Sequence, residues 1–255
     1  MDDGNNITVK NDLSDDFSAT PSFCVYPWMQ FIIGPDRYAK ICCIADGALL
    51  SDSNKSYPMD EMSLSEIWNG EGIRNVRKKM LAGEKIKNCK RCYYLESIGQ
   101  ESYRQIFNKV WLKSLYRKEI IKRVLNSKSN NFLVESPPLY LDIRLGNKCN
   151  LKCRMCNPIN SSKIYQEQKE LFSEKKDLGL LIDKSFLDED EHSFHNWHQS
   201  PQIWKIVYQW LPSIRKLYFT GGEPTLIKKN WELISYLQDK GYSKKIILDF
   251  NINCT

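Results

Sequence analysis

Seven of the nine cysteines in this 255-residue chain fall into tight groups: Cys42 with Cys43, Cys89 with Cys92, and Cys149 with Cys153 and Cys156. Cys24 and Cys254 stand alone. The third group reads Cys149-Asn-Leu-Lys-Cys153-Arg-Met-Cys156, a C-x3-C-x2-C spacing placed directly after a strand-like run. Thiolates are the ligands that hold iron–sulfur clusters. Three on one short loop can hold three corners of a cubic four-iron cluster, and the fourth iron is then open to a substrate or cofactor. A structural zinc site wants a fourth Cys or His close by, and none follows. The remaining group offers five thiols, Cys24, Cys42, Cys43, Cys89 and Cys92, where one zinc or one cluster needs four. In an extended stretch Cys42 and Cys43 point to opposite faces, so only one should reach a shared metal. The expected set is Cys24, Cys43, Cys89 and Cys92, with Cys42 as the substitute for Cys43. Zinc, which takes the same four thiolates, stays open beside a cluster.

The totals bound the setting. Hydrophobic residues make up 42% and charged residues 27%, an ordinary balance for a globular domain. No apolar run approaches the ~18 residues that a membrane-spanning helix needs. The N-terminal stretch MDDGNNITVKNDLSDD is acidic and polar, unlike a secretory signal or a transit peptide. Grouped thiols without such a signal point to metal or cluster ligands in a reducing compartment, so a cytoplasmic location is expected. The net charge is +6, and basic residues thicken from Arg104 through Lys109, Lys113, Arg117, Lys118, Lys122 and Arg123 to Lys128. That run reads as the solvated face of an amphipathic helix, so neither nucleic acid nor membrane is expected as a partner.

The elements that must carry these residues divide near residue 135. Two extended stretches are expected around Trp28–Ile33 and Tyr38–Ile44. Ser63-Leu-Ser-Glu66 has capping-box spacing and opens a helical region with Ile73, Val76, Met80 and Leu81 at helical intervals, closed by Gly83. A second helix is expected from about Gln105 to Leu125, followed by a breaker-rich linker. The second half alternates: a strand at Leu139–Leu145, a helix from Ser161 to about Leu178, a strand at Lys216–Thr220, a helix at Lys229–Lys240, and a strand at Ile246–Ile252. That order implies parallel βαβ units and an α/β fold. The third strand runs almost to Thr255, so three strands with an open edge are expected to belong to a longer protein or to be completed by a partner.

Leu141-Asp-Ile-Arg-Leu-Gly-Asn-Lys-Cys149 through Cys156-Asn-Pro158 resembles the opening strand and cluster loop of the radical S-adenosylmethionine (SAM) superfamily. Thr220-Gly-Gly-Glu-Pro224 matches that family's second-strand motif, and Asn251-Ile-Asn253 resembles the end of its third strand. Cys24-Val-Tyr-Pro-Trp28, Ile41-Cys-Cys43, Leu64-Ser-Glu-Ile-Trp68, Cys89-Lys-Arg-Cys92 and Gly99-Gln-Glu-Ser-Tyr-Arg104 look like the SPASM and twitch modules that carry auxiliary clusters in such enzymes. Here the module precedes the core, and Arg37 replaces a glycine often found in its turn.

The resemblance implies the first half of a partial (β/α)6 barrel after a small cysteine-rich α+β module. The expected division is a disordered tail at 1–20, the module at 21–105, a helical linker at 106–136, and the core at 137–255. It also implies a SAM-binding 4Fe–4S cluster on Cys149, Cys153 and Cys156, SAM contacts from Met155, Thr220, Gly221, Gly222, Glu223, Pro224 and Asn253, and an auxiliary 4Fe–4S cluster. Catalysis would be reductive cleavage of SAM to a 5′-deoxyadenosyl radical that abstracts hydrogen from a substrate, a peptide or protein by analogy. Flavodoxin or ferredoxin would supply electrons. A non-catalytic cluster or zinc protein is the alternative.

Smaller signals have plainer readings. His192, His195 and His198 cluster beside Asp188, Glu189, Asp190 and Glu191, but a polar surface loop is the expectation. Trp197, Trp204 and Trp210 are expected in the core.

Overall fold

Pro27 takes the second position of a single helical turn, Tyr26–Met29 (α1), where its missing N–H costs nothing, and the chain runs from it straight into the strand Gln30–Ile33 (β1). The structure, a computed structural model, describes residues 20–51, 53–174 and 196–254, without the side chains of 172–174. The N-terminal tail up to residue 19, His192, His195 and the carboxylates of Asp188, Glu189, Asp190 and Glu191 lie outside the described residues.

Capping chemistry sets the helices that follow. Ser63 and Glu66 form the expected capping box on Leu64–Trp68 (α2). Glu71–Leu81 (α3) comes next, and Gly83 stops it at φ +78°. Lys90–Ser97 (α4) leads to a second capping box, Ser102 with Gln105, which opens Tyr103–Leu112 (α5). The single helix expected over 105–125 is in fact two. The Ser114 hydroxyl donates to the Trp111 carbonyl and accepts from the Tyr116 amide, which ends α5 and turns the chain into Arg117–Ser129 (α6). Then come Tyr140–Ile143 (β2), Ser162–Glu174 (α7), Pro201–Trp210 (α8), Lys216–Phe219 (β3), Lys228–Asp239 (α9) and Ile247–Phe250 (β4). Gly241, at φ +68°, marks the stop after α9.

The chain is α/β, with one parallel sheet in the order β1-β2-β3-β4. The expected three strands are joined by a fourth, β1, which comes from the cysteine-bearing segment and pairs with β2 from Gln30 opposite Tyr140 to Ile33 opposite Ile143. The other expected extended run, Tyr38–Ile44, forms no strand. Its backbone is engaged by the loop that follows: Leu49 donates to the Ala39 carbonyl at 2.7 Å, and Tyr38 bridges only to Pro58.

Strand alternation divides the sheet faces. Leu141, Ile143, Leu217 and Phe219 have no exposed surface, and Phe31 meets Trp210 edge-on at 5.3 Å. Trp197, Trp204 and Trp210 lie in this core, as the sequence suggests. The opposite face carries Tyr140, Asp142, Lys216, Tyr218 and Asp249. There Asp142 takes a two-pronged clamp from Arg144, at 2.8 and 2.7 Å, and Lys216 pairs with Asp249.

Arg77 ties the first half of the chain together. It is fully buried, and its guanidinium donates to the carbonyls of Pro27 (2.8 Å), Trp68 (2.9 Å) and Phe132 (2.9 Å) while lying over the Trp68 ring. Replacing it with Met takes the donor from two buried carbonyls and from the partly buried Phe132 carbonyl, a buried acceptor left unpaired costing about 1–3 kcal/mol. Arg77→Met is expected to lower the stability of the full chain by about 3–5 kcal/mol in urea unfolding. A loss below about 1 kcal/mol would show that water replaces the guanidinium at no cost.

Candidate functional site

Two groups of thiols are assembled around the sheet. The first stands on the loop after β2. Buried Asn147 holds the base of that loop: its side-chain amide donates to the Pro158 carbonyl at 2.9 Å, and its carbonyl accepts from the Ser162 amide at 2.7 Å. Ser162 Oγ accepts from the Cys149 amide at 3.2 Å, and Ser161 Oγ donates to the Leu151 carbonyl at 3.0 Å. The Cys156 amide closes a turn onto the Cys153 carbonyl at 2.9 Å. The loop is therefore moulded by the start of α7, and the three thiols line one side of a cleft of about 460 Å³.

Thr220, Gly221, Gly222, Glu223, Asn251 and Asn253 line the other side, at the ends of β3 and β4. The glycines are required by the protein itself. Gly221 has φ +82° and Gly222 φ +51°, and a Cβ on Gly222 would stand 2.4 Å from the Lys148 carbonyl oxygen. The adjacent Glu223 amide donates to that same oxygen at 2.8 Å, which docks the turn onto the cysteine loop. The Glu223 carboxylate accepts from the Thr225 hydroxyl (2.6 Å), the Thr225 amide (3.1 Å) and the Asn253 amide (2.8 Å). Asn253 also donates from its side chain to Asn150 at 2.7 Å, so the end of β4 is tied to both other parts of the cleft. Met155 is 96% exposed at the rim. Pro224 is buried behind the cleft, its carbonyl accepting from Asn230. Burial raises the Cys156 thiol above its ordinary value.

The second group lines a small cavity made by Cys24, Cys42, Cys89 and Cys92 with Ile41, Ile44, Met80, Phe107 and Arg104. Cys89 caps α4 and Cys92 lies in its first turn, so the C-x2-C spacing sets both thiols at one helix start. Cys42 belongs to this ring, whereas Cys43 faces away, exposed, toward Asp142 and Arg144 on the polar face of the sheet. The two side chains point apart as expected, but the residue turned toward the other thiols is Cys42. Burial pushes the thiols of Cys24 and Cys89 up to about 12 and raises those of Cys42 and Cys92. Neutral thiols are therefore favoured here until a metal cation reverses the balance.

The donor chemistry fits iron–sulfur groups: four thiols face one apolar cavity, and three face one open cleft. Among the described residues no three His, Cys, Asp or Glu side chains converge closely enough to share a single metal ion. His198 is buried beside Trp197 and shares a pocket with Asn147 and Lys148, which precede Cys149, but it does not line the cleft of the three loop thiols or the four-cysteine cavity. Sequence reasoning did not find Asn147, Ser161 and Ser162, which shape the cysteine loop, or Arg104 as a cavity residue. Arg104 and Arg123 belong in sequence to a basic run expected to be solvated, yet both are buried.

A family model, SPASM, described as an iron–sulfur cluster-binding domain, matches residues 24–93. The match takes in all five cysteines of the first half and supports iron–sulfur binding there. No curated protein and no solved structure matches the chain. Among the described residues no helix is long and apolar enough to cross a membrane.

Burial alone would raise the pKa of Glu223, but its three hydrogen bonds outweigh that and hold it below the ordinary 4.5. Its stabilising contribution is complete above that value and is lost as pH falls through the lower folded value. Glu223→Gln is expected to cost about 1.5–3 kcal/mol at neutral pH, with the gap to the parent closing below about pH 4 in urea unfolding. An unchanged gap at low pH would show that the charge has no part in the contact. Gly222→Ala is expected to cost about 2–5 kcal/mol through the forced shift of the Lys148 backbone and the strained φ, read by the same measurement. A loss under about 1 kcal/mol would contradict the close docking of the two loops.

Proposed function

We propose that the chain is a radical SAM enzyme, with Cys149, Cys153 and Cys156 holding a SAM-binding 4Fe–4S cluster and Cys24, Cys42, Cys89 and Cys92 holding an auxiliary 4Fe–4S cluster. The observation that carries this reading is the shared cleft, where three loop cysteines, the Gly-Gly-Glu turn and Asn253 meet at the ends of adjacent parallel strands. Ends of parallel strands are where open α/β sheets and barrels bind ligands. The four-stranded sheet is then the first part of a partial (β/α)6 barrel, and the partly exposed portion of its polar face, at Arg144 and Tyr218, borders the interior that receives substrate.

A 4Fe–4S cluster held by Cys149, Cys153 and Cys156 would supply the one electron needed to cleave SAM into methionine and a hydrogen-abstracting 5′-deoxyadenosyl radical. The chain's own part is to bind and orient. Of about four lone-pair sites on the Glu223 carboxylate, three are occupied within the chain, so backbone carbonyls of the same turn supply most of the acceptors for the SAM ammonium. The Asp142–Arg144 clamp fixes a guanidinium beside the cleft that can meet a polar substrate group. A peptide or protein substrate, a flavodoxin- or ferredoxin-like electron donor and a cytoplasmic location complete the proposal.

The test is anaerobic reconstitution with iron and sulfide, followed by reduction, addition of SAM and assay of 5′-deoxyadenosine. About eight irons per chain are expected, with 5′-deoxyadenosine production that disappears when Cys149, Cys153 and Cys156 are changed to Ala. Bound iron without SAM cleavage would contradict the enzyme reading for this chain. Zinc at the four-cysteine site would contradict the auxiliary cluster alone.

A further inference from the structure

The four-cysteine cavity contains one cation that ligation does not explain. Arg104 lines it with Cys24, Cys42, Cys89 and Cys92, and its side chain is 9% exposed. The guanidinium is fixed on three sides. Nη1 donates to the carbonyl of Phe23, the residue before Cys24, at 2.9 Å. Nε and Nη2 grip the two oxygens of Glu96 at 3.0 and 2.7 Å. Fully buried Ser102 donates to Glu96 Oε1 at 2.5 Å, which orients the carboxylate. The Arg104 backbone amide also faces the Cys92 thiol and favours its charged form. Asn108 gives the same loop a second, uncharged hold on both sides of Cys24, donating to the Phe23 carbonyl and accepting from the Val25 amide, each at 2.9 Å.

We propose that Arg104 is a tuning residue of the auxiliary cluster: its guanidinium raises the cluster's reduction potential, and Glu96 offsets part of that rise. The proposal rests on the reading that this cavity holds an iron–sulfur cluster. A four-iron cluster on four thiolates carries net negative charge, and gaining an electron makes it more negative. A fixed positive charge in a buried, weakly screened site favours the reduced form. Hydrogen bonds donated to a ligand sulfur act in the same direction. The carboxylate acts at Cys92 together with the guanidinium, whereas at Cys24 and Cys89 the guanidinium acts without it, so the field is weakened and not cancelled. The step concerned is the gain of one electron by the cluster; no bond forms or breaks.

The experiment uses the full chain with Cys149, Cys153 and Cys156 changed to Ala, so that the auxiliary cluster is the only one present. The reconstituted protein is titrated with dithionite through redox mediators, and the reduced cluster is followed by electron paramagnetic resonance. Arg104→Gln is expected to lower the reduction equilibrium constant at least tenfold, a shift of about 59 mV to more negative potential for one electron. Glu96→Gln, which keeps the shape and removes the charge, should shift the potential to more positive values. Arg104→Lys should fall between the parent and Arg104→Gln. Shifts of the same sign in Arg104→Gln and Glu96→Gln, or no shift in either, would overturn the tuning role and leave the cluster in place. If Arg104→Gln fails to hold iron, the sign for Glu96→Gln decides alone, and a shift that is not positive overturns the proposal. A parent protein without about four irons would overturn the cluster reading and the tuning role with it.

Discussion

The parallel pairing of β1 with β2 is the constraint on which the rest depends. It joins two segments more than a hundred residues apart in the chain, from Gln30 opposite Tyr140 to Ile33 opposite Ile143. The ladder extends at both ends, where Leu139 donates to Met29 and Arg144 donates to Ile33, each at 2.8 Å. Parallel strands need cover on both faces. Here helices bury the apolar face, and the cysteine-bearing segment lies against the polar one, with Tyr26 edge-on to Tyr140 and Cys43 beside Asp142 and Arg144. The two thiol groups thus belong to one sheet.

Each site relies on backbone contacts that side chains make possible. At the cleft, two glycines in left-handed conformations bring the β3 turn against the cysteine loop, and Asn253 fastens the β4 end to both. At the cavity, Arg104 and Asn108 of α5 hold the backbone around Cys24, and α4 presents Cys89 and Cys92. Arg77 fixes α3 against α1 and the stretch after α6 through backbone carbonyls, the Asn69 side chain and the Trp68 ring, with no carboxylate partner. Such a cation gains much of its attraction from dipoles and an aromatic face.

Local signals were legible in the sequence. The Ser63–Glu66 capping box, the stops at Gly83 and Gly241, and the positions of β2 and β3 follow from residue types that bias their own backbone. The thiols were visible because their chemistry is written in spacing, and the Gly-Gly-Glu turn because it resembles a known family's motif. What escaped depends on partners distant in sequence. Nothing local in Gln30–Ile33 says that it pairs with Tyr140–Ile143, and Tyr38–Ile44 has strand-like residues but no free ladder to join. Arg104 and Arg123 look like members of a basic surface run until the segment packs. The choice between Cys42 and Cys43 depends on which face of one bend meets Cys24, Cys89 and Cys92.

That choice is also where the account can be tested most directly, because it follows from how the cysteine-bearing segment lies on the sheet. The measurement is the iron and acid-labile sulfide content of singly substituted, anaerobically reconstituted full chains. Cys42→Ala should lose about four irons relative to the parent, and Cys43→Ala should keep them all. The reverse pattern, with iron lost in Cys43→Ala and kept in Cys42→Ala, would contradict the arrangement of the two cysteine groups around the sheet.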